Sequence, residues 1–168
     1  QLLGLFLLVY ALSCWYGALS GRTDPLRPLG NDKVASGTQT SAPDTTGRWQ
    51  TISKTSELEQ ILEDSKNAGQ PVLVDWYADW CISCKVIEHD VLPDPKIVSQ
   101  LTGFRLIRFD MTDSNAEQRA LLDRYKLFGP PALLFFGKDG NELENVRVVG
   151  EINVQAFSER LSRANDQI

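Results

Sequence analysis

The residue types with the most distinctive chemistry are scarce in this 168-residue chain, which holds three cysteines, one histidine and one methionine. Three cysteines, two of them paired by spacing, do not make the disulfide framework of a small secreted domain. A structural zinc centre normally needs four ligands, and beyond Cys81 and Cys84 the usual candidates are only Cys14 and His89. Met111 is the only methionine, so Gln1 is not a translation start and the chain is expected to be a fragment or a processed product. A basic excess is also missing. The net charge is −5, and residues 1–47 hold three basic (Arg22, Arg27, Lys33) and three acidic (Asp24, Asp32, Asp44) side chains. The whole negative charge therefore belongs to residues 48–168, which argues against nucleic acid as a partner.

Residues 1–20 lack charge altogether. Twenty helical residues span about 30 Å, the thickness of a bilayer core, and Trp15 and Tyr16 suit an interfacial aromatic belt. A transmembrane segment is the expectation, as the last part of a larger membrane domain. A signal peptide is the rival, but its basic leading region is absent; a soluble helix would have to be buried all round. Cys14 inside this stretch reads as a small packing residue, with a redox role as the alternative. Residues 21–47 carry Pro25, Pro28, Gly30, Gly37, Pro43 and Gly47 with no hydrophobic period, and read as a flexible linker. Hydrophobic content of 42% and charged content of 23% are those of a globular protein, and the length allows one domain of about 100–150 residues, 48–168, beyond these extras.

The chemistry concentrates at residues 71–88. Val72 to Tyr77 is a short apolar run rich in β-branched and aromatic residues, which predicts a buried strand. It stops at Ala78 and Asp79, and Cys81 and Cys84 follow at the start of a segment with helical character. Residues three apart at a helix start are close enough for a disulfide. Unpaired N–H groups and the positive end of the helix dipole stabilise a thiolate at the first position. Cys81 is thus the expected attacking thiolate and Cys84 the resolving thiol. A non-enzymatic metal-binding module using Cys81, Cys84 and His89 stays open as the alternative use of the same pair.

These residues resemble the active-site signature of the thioredoxin family. More narrowly, Tyr77 to Lys85, Glu88 and the run Leu133 to Phe136 resemble the C-terminal domain of the DsbD family of bacterial thiol:disulfide interchange proteins, over about residues 48–163. The resemblance implies a thioredoxin-like fold and a protein-disulfide reductase that needs no cofactor beyond its own disulfide. It implies electrons received from a membrane-embedded dithiol domain and passed to an N-terminal periplasmic domain of the same protein. It also places residues 48–168 in the periplasm, tethered to the bacterial inner membrane through residues 1–20, as a monomeric domain. The basic residues after the apolar segment would mildly favour a cytoplasmic side instead. A single-pass tethered thioredoxin of cytochrome c maturation is a rival with the same chemistry.

Two carboxylates stand out. Asp75 interrupts an apolar strand, where a charge is costly unless neutralised, paired or useful. Glu88 follows Cys84 by four positions, one helical turn along the same face. By resemblance they move the proton of the second thiol and tune the pair, with Asp75 raised towards neutrality by burial. A plain salt bridge is the other use of each of them. In the family a cis-proline before a strand faces the cysteines, and by position that residue is Pro131. The residue before it offers backbone groups to the bound partner; here it is Pro130, which has no N–H. Trp80 is expected to shield the pair and contact partners, with simple packing as its other use. Lys85 and His89 are expected to be solvated.

The remaining elements follow from pattern. Trp49 to Ile52 predicts an edge strand, and Ser56 with Glu59 a capping box opening a helix that ends at Asn67–Gly69. Lys96 to Leu101 predicts a turn or two of helix, and Phe104 to Asp110 a strand. Ser114 with Glu117 predicts a second capping box before a helix to about Tyr125. Ala132–Phe136 and Asn145–Gly150 predict a hairpin around Lys138–Asn141, and Asn153 a cap for a last helix. That order makes a mixed α/β sheet with helices on both faces.

Overall fold

The computed structural model describes residues 48–168. The expected apolar segment 1–20, with Cys14, and the linker 21–47 lie outside the described residues. Among those described, no helix is long and apolar enough to cross a membrane.

Strand β2 (Val72–Tyr77) is buried along its whole length, as a run that is apolar except at Asp75 predicts. It lies at the centre of a five-stranded sheet that also contains β1 (Trp49–Ile52), β3 (Arg105–Asp110), β4 (Ala132–Phe136) and β5 (Val148–Val149). The spatial order is β1-β3-β2-β4-β5. β1, β3 and β2 run parallel, while β4 and β5 run antiparallel to their neighbours. Helices α1 (Thr55–Asn67) and α4 (Ala116–Arg124) cover one face, through Leu58, Ile61, Leu121 and Leu122. The other face is covered by α2 (Ile82–Val86), α3 (Pro95–Gln100) and α5 (Val154–Asn165). Ile87, Val91, Ile97, Leu101, Phe157 and Leu161 form its core with Leu73 and Phe135. The result is the three-layer mixed sheet that the order of elements predicts.

Local detail departs from the expected boundaries in four places. Helix α1 starts at Thr55, with Lys54 at its cap and no side-chain cap bond, so Ser56 lies inside the first turn and caps nothing. The second capping box is real but displaced by one residue. Ser114 sits at φ +46°, a turn conformation, and the extended Asn115 takes the cap, exchanging bonds with Gln118 instead of Glu117. The last strand is only Val148–Val149, because Glu144–Val146 forms a 3-10 turn and Arg147 clasps Glu142 through two bonds of 2.7 Å. The redox helix widens after α2 into a π turn, Ile87–Val91, closed by Leu92 N–H on the Ile87 carbonyl at 2.9 Å. Asn153 caps α5 as expected, accepting from Ala156 N–H at 2.9 Å.

Candidate active site

The carboxyl ends of the parallel strands β2 and β3 point the same way, and the catalytic candidates gather beyond them. Tyr77 ends β2, and three loop residues later Cys81 occupies the cap position of α2 in extended conformation. Its Sγ accepts the N–H of Cys84 at 3.1 Å, so the sulfur already takes one of the unpaired donors of the helix start. Cys81 and Cys84 are joined as a disulfide with Cα atoms 5.3 Å apart, and both are buried. A thiolate released at Cys81 would face the same N–H and the helix dipole, which is the physical reason for assigning the attack to it.

The neighbouring ends of the sheet wall the pair. Register sets Ala132 opposite Trp76 and Val149, so Pro130 and Pro131 enter beside the end of β2. The Pro130–Pro131 peptide bond is cis, as the resemblance implies, and Gly150 N–H donates to the Pro131 carbonyl at 2.9 Å. Between the cysteines, Ser83 Oγ donates to Glu151 at 2.5 Å and ties the redox helix to the loop before α5. On the other side Trp80 Nε1 donates to the Thr112 carbonyl at 3.2 Å, and Asp79 N–H to Thr112 Oγ1 at 2.9 Å. Trp80 stays 59% exposed and Ile82 80% exposed, while Val86, Phe128 and Val149 are further exposed apolar side chains.

Asp75 and Glu88 are brought together, and by a residue that pattern reading passes over. Arg108, directly opposite Asp75 in the β2–β3 register, donates from Nε to Asp75 Oδ2 at 3.1 Å and from Nη1 to Glu88 Oε1. The guanidinium also lies 4.6 Å from the centre of the Tyr77 ring. Asp75 is 4% exposed, and burial, partly offset by Arg108, pushes its carboxyl up from an ordinary 3.8 to about 6. Asp75 is thus both paired with Arg108 and raised.

Lys85 and His89 are exposed as expected, but Lys85 is not idle. Its Nζ donates to Tyr77 Oη at 3.1 Å, and that hydroxyl donates to Asp79 at 3.0 Å. The Tyr77 bond raises the Lys85 ammonium above its usual value. Among the described residues no group of three or more His, Cys, Asp or Glu side chains is arranged to hold a metal ion. Arg108 had a readable signal. A basic residue between Leu106, Ile107 and Phe109 in a central strand is as costly as Asp75, and two opposite charges of that kind invite pairing. Thr112 and Glu151 carry no such signal, since their contacts depend on which loops the sheet register brings together.

Comparisons with known proteins agree with this geometry. The thioredoxin-like family model matches residues 53–138. The chain is 52% identical over 164 residues to the thiol:disulfide interchange protein DsbD 1 of Pseudomonas aeruginosa, covering 98% of this chain and 27% of that protein. It is 39% identical to DsbD of Pseudomonas fluorescens, covering 89% of this chain and 25% of that protein. The chain thus spans about a quarter of the length of the curated relatives it matches. Among solved structures it is similar to the oxidised C-terminal domain of DsbD from Neisseria meningitidis. That match has a TM-score of 0.60 and 29% identity, and covers 68% of this chain and 99% of that one. A thioredoxin from Thermus thermophilus (TM-score 0.56, 23% identity, 70% of this chain and 86% of that one) shares the fold.

Proposed function

This chain belongs to the thioredoxin-like family and is a homologue of the DsbD thiol:disulfide interchange proteins, and from that premise we propose that it is a protein-disulfide reductase. The observation that carries the reading is the Cys81–Cys84 disulfide at a helix start, with the Cys81 sulfur on the Cys84 N–H. In the reduced form the Cys81 thiolate attacks one sulfur of a partner disulfide, and the other partner sulfur leaves as a thiolate that water protonates. Cys84 then gives its proton to the Asp75 carboxylate. The Cys84 thiolate attacks Cys81 Sγ and closes the Cys81–Cys84 bond as the mixed disulfide breaks; the second partner sulfur leaves as a thiolate that water protonates, and Asp75 returns its proton to water. Two electrons pass to the partner, which ends as a dithiol.

Electrons come from a dithiol of a membrane-embedded domain and go to an N-terminal periplasmic domain, both of the same protein. Residues 1–20 anchor the chain in a bacterial inner membrane, 21–47 act as a tether, and 48–168 work in the periplasm as a monomeric domain. A tether of that length would hold the domain near both partners at high effective concentration. Trp80 and the loop at Pro130 and Pro131 form the docking surface. Because Pro130 lacks an N–H, the partner strand is held there through the Pro130 carbonyl alone. A complex with two backbone bonds at residue 130 would contradict that detail without touching the chemistry.

The reduction potential of the pair tests the function. Equilibrating the 168-residue chain with dithiothreitol or glutathione buffers should give a value near that of thioredoxin, about −270 mV, or moderately above it. A value near about −120 mV would make the pair an oxidant, and the reductase reading would fall.

A further inference from the structure

A docking surface at Trp80, Pro130 and Pro131 does not account for the groove that opens beside it, between the redox helix and the start of α5. We infer that this groove is a specificity subsite for a basic side chain of the partner protein, a lysine or arginine borne near the disulfide that Cys81 attacks. The inference rests on the reading of the chain as a protein-disulfide reductase.

Position is the first support. Ile87, Asp90 and Val91 of the redox helix, with Glu151, Ile152 and Val154 at the start of α5, line a groove of about 520 Å³. Ser83, which stands between the two cysteines, donates to the Glu151 carboxylate at 2.5 Å. The residue before Glu151 is Gly150, whose N–H holds the Pro131 carbonyl at 2.9 Å. The groove therefore continues the surface at the cis-proline loop, and a partner bound along Pro131 lies beside Glu151.

The lining selects the occupant. Ile87 and Val91 are buried and make an apolar floor, with Ile152 and Val154 half-buried beside them. Asp90 and Glu151 are exposed carboxylates, and no cationic side chain lines the groove. Among the described residues neither acid has an ion-pair partner. Lys85 on the redox helix and Arg108 on β3 are engaged elsewhere, the first with Tyr77 and Asp79, the second with Asp75 and Glu88. A lysine or arginine suits such a lining, because its apolar stem covers hydrophobic surface while its charged head stays at the rim with the carboxylates. An apolar side chain of similar length would cover the floor but leave both carboxylates partly desolvated and unpaired. An acidic one would meet two like charges. Asn153 already caps the helix that opens there, accepting from Ala156 N–H, so the helix start does not reverse that preference.

The test reads a preference between substrates. Peptides with a single cysteine, oxidised to their symmetric disulfides, carry lysine, norleucine or glutamate in turn at each position flanking the cysteine, in a background of alanine and serine. The reduced 168-residue chain, carrying C14S so that only the pair reports, is mixed with each peptide and acid-quenched at intervals. Mass analysis then counts the Cys81–Cys84 disulfide. Dividing the lysine rate by the norleucine rate for the same protein cancels any change in the reactivity of the thiols. At low salt the parent should favour lysine at one or more positions by about three- to tenfold, and disfavour glutamate. Salt at about 1 M should erase most of that preference. D90N/E151Q should bring the ratio to about one, and glutamine at position 151 still accepts from Ser83, so that only charge is lost. D90K/E151K should turn the preference towards glutamate. A parent with no lysine preference at any position overturns the inference, and so does a lysine preference that D90N/E151Q retains; the reductase reading stands in either case. A parent that reduces none of the peptides overturns both.

Discussion

Replacing Asp75 with asparagine should remove a loss of stability that the parent suffers as pH rises from about 4 to about 6.5, and the size of the effect can be worked from the site. The Asp75 carboxyl rises from 3.8 to about 6 on folding. Its folded form therefore holds more protons than its unfolded form between those two values. Stability that is fully present below 3.8 is lost as pH rises through about 6. Every pH unit separating the two values is worth about 1.4 kcal/mol, so the parent loses about 3 kcal/mol from this group across the window. Asparagine keeps the shape and has nothing to ionise. The stability difference between D75N and the parent should grow by about 2.5 kcal/mol between pH 4 and pH 8, nearly all of it below about pH 6.5. Urea unfolding of the oxidised chains, followed by circular dichroism across that range, measures it. Subtracting one protein from the other removes the titration of groups they share. A difference that stays flat with pH would mean that Asp75 is not raised at all. A difference that shrinks with pH would mean that Arg108 outweighs burial, and the proton-exchange argument would lose its acceptor.

Cys84→Ser should accumulate a covalent adduct between Cys81 and a partner, visible on non-reducing gels, whereas Cys81→Ser should give none; an adduct in both would undo the assignment of the attack to Cys81. Pro130→Ala restores a backbone N–H beside Pro131, and a partner complex trapped through Cys81 should tighten by about 1 kcal/mol in non-covalent affinity. Unchanged or weaker affinity would argue that the partner strand does not lie along that backbone. Phe157 is fully buried in the core beneath the redox helix and lies 6.3 Å from the Phe135 ring. Phe157→Ala should therefore cost about 3–5 kcal/mol in a urea melt; a loss under about 1 kcal/mol would mean the second core is not as closely packed as the contacts indicate.

What can be read from the chain, and what cannot, divides by the range of the interaction. β2 matches its predicted ends, Val72 and Tyr77, because a short β-branched and aromatic run, broken only by Asp75, reads as a strand covered on both faces. The pairing of Cys81 with Cys84 is equally local, since three residues at a helix start set the distance between them. The capping boxes are harder. Which of Ser114 and Asn115 takes the cap depends on a backbone turn at φ +46° that neither side chain announces. The short β5 depends on Arg147 preferring Glu142 and the Tyr125 carbonyl over a continued ladder, a choice made by the loop around it. The partner of Asp75 is hardest of all, because Arg108 lies 33 residues away and meets it only when β2 and β3 adopt one particular register. A slip by one residue would turn Arg108 to the opposite face of the sheet and leave Asp75 buried without a cation. Burying that carboxyl unpaired would cost several kcal/mol, so the pair helps select the register that builds the site. In this fold the strand register and the pairing of the buried Asp75 are held by the same bond.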